Sequence, residues 1–314
     1  MINFRYHVVS ILAVFLAIAI GTVMGASFVG RGVIDSLQSR ITKVQHLTDA
    51  QRDRNDKLQG EIGKLGDYVD ETAGYAVARS LTAVRVNLVA ERGTDGDAVD
   101  RQGALVRQAG ATVPGVVWLE DSWKLESADS AAALRAATGL TTRDRTALRT
   151  AAGRLLGQRL TVASPPIADD VLVKLVDAKF VTLAGVAGSP APSATDFVGS
   201  TARVLQMGGP GHAVPADVTP AVAGGVLVGG ASVVVGEVFA TSDVGPDRAG
   251  WIDAVLKEPG LANHISTVDD LERTEGRVGA TLALSELALG TVGNYGLGRD
   301  RAVPEKITTV PSAR

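Results

Sequence analysis

The sequence predicts a mixed α/β protein in which an N-terminal transmembrane helix and a coiled-coil helix precede a mostly parallel, Rossmann-like α/β domain. Three observations support this class: an uncharged apolar run before residue 31, a heptad repeat after it, and alternating strand and helix patterns from residue 83 onward. The expected segments are residues 1–32 for the membrane helix, 33–74 for the coil, 80–298 for the α/β domain and 299–314 for a flexible tail.

The composition excludes several classes of protein. The 314 residues include 31 Lys and Arg against 34 Asp and Glu, which gives a formal net charge of −3 and no basic surface for nucleic acid. Cysteine is absent, so disulfides, thiolate metal sites and cysteine nucleophiles are excluded. The hydrophobic fraction of 46% supports a packed core and excludes wholesale disorder.

The first element is predicted to span a membrane, because no Asp, Glu, Lys or Arg occurs between Arg5 and Arg31. A helix over these intervening residues is about 37 Å long, and a hydrocarbon core is about 30 Å thick. The alternative is a cleaved signal peptide ending near Ala26, although the apolar region of such a peptide is usually about 7–15 residues long. We expect an uncleaved anchor with a short cytoplasmic N-terminus and an extracytoplasmic remainder.

Small residues recur at every fourth position of this span, as Ala13, Ala17, Gly21 and Gly25. A stripe of this kind lets two transmembrane helices approach closely, because small side chains keep the two backbones near each other. The alternative is that alanine and glycine are common in any membrane anchor. The stripe is therefore a candidate contact face between two membrane helices.

The segment after the span carries a heptad repeat that predicts a coiled coil. The centre of the repeat is polar, with Thr48, Gln51 and Asn55 at a and d positions. A buried Asn at position a fixes the register and favours a parallel two-stranded coil, so we expect a homodimer. The alternative is one amphipathic helix packed against its own globular domain. The predicted dimer seam consists of Ile34, Leu37, Ile41, Val44, Asn55, Leu58, Ile62, Leu65 and Val69.

The remainder alternates between strand and helix patterns, which is typical of a mostly parallel sheet with helices on its faces. Strands are expected at residues 84–89, 113–119, 180–183, 202–207 and 232–239. Helices are expected at residues 97–109, 130–137, 142–156, 169–177, 247–257 and 280–289.

Motifs of the common enzyme classes are missing from the sequence. It contains no G-x-S-x-G, no H-E-x-x-H, no P-loop and no G-x-G-x-x-G, so we expect a non-enzymatic protein without a bound cofactor. The loop from Gly208 to His212 follows a predicted strand and is either an anion-binding loop or a plain turn. Acidic residues at 243, 247, 269, 270 and 272 are either ligands of a hard cation or solvated turn residues.

Soft metal ligands are scarce. The sequence has four histidines and three methionines, and none of them falls into a ligand pair at helical or hairpin spacing. Met207 and His212 are the nearest pair, five positions apart at a strand end, and they are the weak candidates for a copper site.

The order of these features resembles the actinobacterial copper transport protein family, the MctB-like proteins. The resemblance covers residues 1 to about 298 and is most specific at both ends. The residues that carry it are Arg5-x-His7-x-Val9-Ser10, the Gly21-x-x-x-Gly25 pair, the heptad helix, Ile265 to Asp270, Gly276-Arg277-Val278, Leu282-Ala283-Leu284, Gly290 to Gly293, and Tyr295-Gly296-x-Gly298.

This resemblance implies a role in copper homeostasis or efflux at the cell envelope, with copper as the implied ion. Related SteB-like members of the group are placed with a cell-separation complex that regulates peptidoglycan hydrolases, which implies a coiled-coil scaffold as the alternative. An enzyme acting on an envelope substrate is a third hypothesis, for which Asp269 and Asp270 would be a catalytic carboxylate pair. The structural interpretation of these two residues is that they follow an edge strand and cap the next turn.

Overall fold

The computed structural model describes residues 4–164, 168–198, 202–209, 211, 213–239, 251–258, 260–287 and 289–296. The chain divides into two compact units, Met1–Asp67 and Tyr68–Arg314. The predicted tail over 299–314 lies outside the described residues.

The first helix, α1, runs over Phe4–Val77. Its first part, Phe4–Gly25, has a mean hydropathy of 2.5 and no buried residues, so it is long and apolar enough to be a candidate membrane span. The predicted membrane helix and the predicted coil thus lie on the same helix.

The second unit is built on a mostly parallel sheet, as predicted. In the described residues the sheet has seven strands in the order β3-β2-β1-β4-β5-β6-β7. β3 is antiparallel to β2, and every other neighbouring pair is parallel. The strands are β1 Val86–Glu91, β2 Val116–Leu119, β3 Val181–Ala184, β4 Arg203–Gly208, β5 Val233–Glu237, β6 Ser266–Val268 and β7 Asn294–Tyr295.

Seven further helices accompany these strands in the described part of the second unit. They are α2 Gly96–Gln108, α3 Ala128–Thr138, α4 Arg145–Arg159, α5 Val171–Asp177, α6 Val218–Val228, α7 Trp251–Leu256 and α8 Thr274–Leu287. Short 3-10 turns lie at Asp121–Lys124 and Ala194–Asp196.

The core lies on both faces of the sheet, because alternate residues of a strand point to opposite faces. On one face Leu88 belongs to a buried cluster that also contains Ala73 and Val77 of α1 and residues of α2 and α8. On the other face Val89 belongs to a cluster with residues of α3 to α7. Burial on both faces explains why the parallel strands are nearly continuous apolar runs.

Helix α6 was not predicted. Its residues are apolar all round and eight of its eleven residues are buried, so it shows no polar face that would mark a helix. It packs closely on α4: a Cβ added at Gly157 or Gly225 would overlap backbone atoms of the other helix. Pro220 is tolerated because it lies in the first turn.

Two expectations about the C-terminal part were wrong. The strand before the turn at Asp269 and Asp270 was expected to be an edge strand. It is β6, which lies between β5 and β7 in the described sheet. Helix α8 begins at Thr274, six residues before the predicted start. Gly276 and Gly279 lower the helix propensity of its first turns, which hid them in the sequence.

Candidate functional site

The small-residue stripe of the candidate membrane span is fully accessible in the single chain. Ala13, Ala17, Gly21 and Gly25 are all exposed, and no atom lies within 4 Å of a Cβ placed on either glycine. The structure thus places these four residues on the surface of α1, where a second helix would meet them.

The heptad residues of the first unit form a second exposed surface, which we call the heptad stripe: Leu37, Ile41, Val44, Leu58, Ile62 and Leu65. Their exposed fractions range from 49% to 69%. Asn55 is also exposed, and the side chain of Ile34 lies outside the described part. Six large apolar side chains in water on one helix indicate a surface that another molecule covers.

The end of α1 behaves differently. Val69, the last predicted seam residue, is half-buried, and Ala73 and Val77 are buried in the core of the second unit. The heptad phase puts Val69 at position a and Ala73 at position e beside the seam, whereas Val77 falls at outward position b. For these last turns, therefore, the alternative of a helix packed on its own domain holds.

The carboxyl edge of the sheet is the second place where a functional site is expected. The chain leaves β1 towards β2 and leaves β4 towards β5, so the strand order reverses between β1 and β4. Open α/β sheets bind ligands at such a point. Here the two loops meet, because the Ala213 amide donates to the Arg92 carbonyl oxygen at 2.7 Å.

The N-terminus of α2, which follows β1, is poorly suited to a phosphate. Asp95 caps the helix by accepting a hydrogen bond from the Asp97 amide at 3.0 Å, so the chain's own carboxylate occupies this end. Asp97 adds a second negative charge in the first turn. A dinucleotide phosphate at this edge would be repelled by both carboxylates.

The glycine-rich loop after β4 serves close packing. A Cβ at Gly208 would overlap the Trp251 ring, and a Cβ at Gly209 would overlap the Val238 carbonyl oxygen. Pro210 and His212 lie outside the described residues. The described glycines therefore have a packing role, which agrees with the plain-turn alternative.

Two buried glutamates flank Gly208 at this edge. Ala90 pairs with Met207 and Gly208 with Glu237, so Glu91 and Glu237 lie on either side of that glycine. Trp251 bonds both carboxylates: its indole Nε1 donates to Glu91 Oε2 at 3.1 Å, and its backbone amide donates to Glu237 Oε1 at 2.9 Å.

Thr219 donates a further hydrogen bond to Glu91 Oε1. Burial raises the pKa of Glu91 to about 8, against the smaller lowering effects of the Thr219 and Trp251 bonds. Sequence reasoning missed this cluster. The sequence signal for this cluster was a single Glu at the end of each of two apolar strands, Glu91 in β1 and Glu237 in β5.

A second carboxyl cluster follows β6. The Asp270 side chain is buried, and its Oδ1 has no hydrogen-bond partner in the described part of the chain, so this oxygen does not cap the turn. Burial and the charges of Asp269, Glu272 and Glu275 raise the pKa of Asp270 to about 7, and Arg273 opposes them.

Of the two weak copper candidates, the structure describes only Met207. Met207 is fully buried in the core on one face of the sheet, and His212 lies outside the described part. His7 and His46 are exposed on α1, and His264 is exposed after α7. Across the described residues, no group of three His, Asp or Glu side chains is placed to hold a metal ion.

The described structure is that of a protein with an N-terminal candidate membrane helix and an α/β domain on a mostly parallel sheet. A family model described as "Copper transport outer membrane protein, MctB" matches residues 1–304, and the chain belongs to this family. This result confirms the family predicted from the sequence.

Curated relatives carry the same name. Proteins called "Copper transporter MctB" from Mycobacterium bovis and Mycobacterium tuberculosis are 28% identical over 319 residues, which cover 95% of this chain and 97% of theirs. The protein of that name from Mycobacterium leprae is 28% identical over 321 residues, with the same coverage.

Proposed function

We propose that this chain is a single-pass membrane protein whose α/β domain lies on the extracytoplasmic side and acts in copper homeostasis or efflux at the cell envelope. The family description and the names of the mycobacterial relatives support the copper role. The apolar helix Phe4–Gly25 supports the anchor. The strand order is that of dinucleotide-binding sheets, which supports a Rossmann-like domain.

A cysteine introduced at Ser39 tests the orientation, because Ser39 is exposed beyond the span and the chain has no cysteine of its own. We expect an impermeant thiol reagent to label Ser39→Cys in intact cells. A cysteine that reacts only after lysis would place α1 beyond the span in the cytoplasm and would reject the proposed topology.

The assembly that the geometry supports best is a homodimer formed by two copies of the chain. The observation that carries it is the heptad stripe, which is apolar and exposed over several turns of α1. A second copy in parallel register would cover each residue of the stripe with the same residue of its partner. The membrane raises the effective concentration of two anchored copies, which compensates for the polar centre at Asn55.

The seam of this dimer ends at Leu65 in our proposal. Beyond it, Ala73 and Val77 contact the core of their own domain, so that face of the helix is unavailable to a second helix. The dimer therefore depends on the heptads between Leu37 and Leu65.

Disulfide trapping tests the pairing. In a parallel dimer the two cysteines of Asn55→Cys face each other, so they should form an intermolecular disulfide on mild oxidation. Ala50→Cys is the matched control, because residue 50 lies at outward position c and its cysteines should not form this disulfide. Adding Leu58→Asp should abolish the Asn55→Cys disulfide, because a buried unpaired carboxylate costs several kcal/mol. Equal cross-linking at residues 50 and 55 would contradict a specific seam.

A second candidate function is a non-enzymatic scaffold of the cell-separation machinery that regulates peptidoglycan hydrolases. The heptad stripe favours it, because its exposed apolar side chains offer a surface on which another protein can pack. A deletion strain carrying Leu58→Asp distinguishes the two roles. Loss of copper tolerance with normal cell separation supports the copper role, and chained cells with normal tolerance support the scaffold.

A further inference from the structure

The turn that joins β6 to α8 surrounds a buried carboxyl group, one oxygen of which has no hydrogen-bond partner among the described residues. We call residues Asp270 to Thr274 the α8 turn. The Asp270 side chain is 2% exposed, and its Oδ1 is without a hydrogen-bond partner among the described residues. A Cβ at Gly276 would overlap both this Oδ1 and the Asp270 carbonyl oxygen, so the carboxyl group is wedged against the first turn of α8.

The same turn holds the end of α1. Thr274 Oγ1 donates a hydrogen bond to Asp70 Oδ1, and Arg277 donates to Thr274 Oγ1. Arg277 Nη1 also donates to the carbonyl oxygens of Glu272 at 2.9 Å and Leu271 at 3.3 Å. Arg277 thus connects the turn to α1, and its Nη2 lies 4.0 Å from Asp70 Oδ1.

Negative groups dominate the surroundings of Asp270. Asp269 directly precedes the α8 turn, Glu272 lies within it and Glu275 belongs to α8, whereas Arg273 is the cation that favours the ionised form of Asp270. Arg277 of α8 donates hydrogen bonds to carbonyl oxygens of the turn, and the charges of Arg101 of α2 and Asp70 of α1 shift the pKa of Arg277. On β5, Glu237 adds a further carboxyl group, and its backbone carbonyl oxygen accepts a hydrogen bond from the Leu271 amide. From β7, Tyr295 donates its hydroxyl to Glu286.

An ionised Asp270 would therefore be a buried charge beside like charges, with its Oδ1 lacking a hydrogen bond among the described residues, which is strongly unfavourable. The protonated carboxyl fits the same space without that penalty. Opening the turn lets the ionised group reach water, so ionisation favours the open form.

We propose that the α8 turn is a proton-sensitive joint between the α/β domain and the end of α1. With Asp270 protonated, the turn holds Asp70 through Thr274 and Arg277, and ionisation of Asp270 loosens this contact. The pKa of about 7 sets the upper end of the pH range over which the contact loosens. This joint is independent of whether the protein handles copper or acts as a scaffold.

The sign follows from the direction of the pKa shift. Folding raises the pKa of Asp270 above its ordinary value of 3.8, so the closed turn binds more protons than the open turn between these values. The stabilisation of the closed turn by the protonated Asp270 is fully present below about pH 4. It is lost as the pH rises to about 7, and the stability of the closed turn does not change further above pH 7. Between pH 5.5 and 8.5 the opening equilibrium constant should increase about 30-fold, at tenfold for each unit of pH below the pKa.

Hydrogen exchange of the full-length protein in lipid nanodiscs tests this proposal at pH 5.5 and 8.5, after correction for intrinsic exchange rates. In the wild type, amides of residues 70–77 and 274–278 should open about 30-fold more at the higher pH. Asp270→Asn, which is neutral at both values, should change less than threefold in the same segments. Effects of Glu91 are common to both proteins and cancel in the comparison.

Glu71→Gln is the matched control, because Glu71 is an exposed carboxylate of the same end of α1 and is not among the charges that shift the pKa of Asp270, so this variant should leave the pH response in place. Equal pH responses of the wild type and Asp270→Asn would overturn the proposal. If Asp270→Asn fails to fold, the carboxyl carbon shift of Asp270 in the wild type replaces it. A midpoint between pH 6 and 8 supports the joint, and a midpoint below pH 5 rejects it.

Discussion

Replacing Arg159 with Ala is expected to lower the free energy of unfolding of the α/β domain by about 3–5 kcal/mol. Arg159 is buried and forms a two-point ion pair with Asp170, at 2.7 Å and 2.6 Å. It also donates to the carbonyl oxygens of Phe197 at 2.7 Å and Ala194 at 3.0 Å. The variant leaves a buried carboxylate without its cation and two carbonyl groups without their donor.

Urea unfolding followed by tryptophan fluorescence measures this effect, since Trp123 is fully buried and stacks edge-on against Phe180. Arg154→Ala is the control on the same helix, because Arg154 is exposed and its loss should change stability by less than about 0.5 kcal/mol. If the two variants unfold at the same urea concentration, the ion pair contributes little net stability.

Replacing Glu91 with Gln is expected to remove the part that Glu91 contributes to the loss of stability of the wild type between about pH 4.5 and pH 8; the part that Asp270 contributes remains. Folding raises the pKa of Glu91 from 4.5 to about 8, so the folded state binds more protons in this range and wild-type stability falls as the pH rises through it. The full effect is on the order of 5 kcal/mol, at 1.36 kcal/mol per unit of pKa. Glutamine stays neutral, so its stability curve lacks this slope.

Unfolding curves at pH 5 and pH 9 provide the measurement. The difference between Glu91→Gln and the wild type should be small at pH 5 and several kcal/mol in favour of the variant at pH 9. Glu126→Gln removes an exposed carboxylate and is the control. Parallel curves for the wild type and Glu91→Gln would mean that a neighbouring group neutralises the Glu91 carboxylate.

The parts of the fold that the sequence predicts depend on local patterns. The apolar run before Arg31 and the alternation of strands and helices are visible in any short window of the chain. Helix α6 was not predicted, because a helix that is apolar on all sides shows no alternation of apolar and polar residues at the helical period. Strands β6 and β7 have three and two residues, too short for a pattern to identify them.

The carboxyl clusters depend on contacts between residues that are far apart in the sequence, and no local sequence pattern reveals such contacts. Trp251 reaches Glu91 from 160 positions further along the chain, so the pair exists only after β1, β4 and β5 are in register. The same limit applies to Met207, because the pleat of β4 turns its side chain into the core, a placement that its spacing from His212 in the sequence does not reveal.

The pairing of β1 with β4 also sets the order in which the domain can be completed during synthesis. Val86 pairs with Arg203, which is more than a hundred residues later, and β1 is the central strand on which β2 and β4 both depend. Contacts of such long range fold slowly because a large loop must close first. The nascent domain therefore exposes unpaired apolar strands until β4 has been made, and it has the greatest need of a chaperone during that interval.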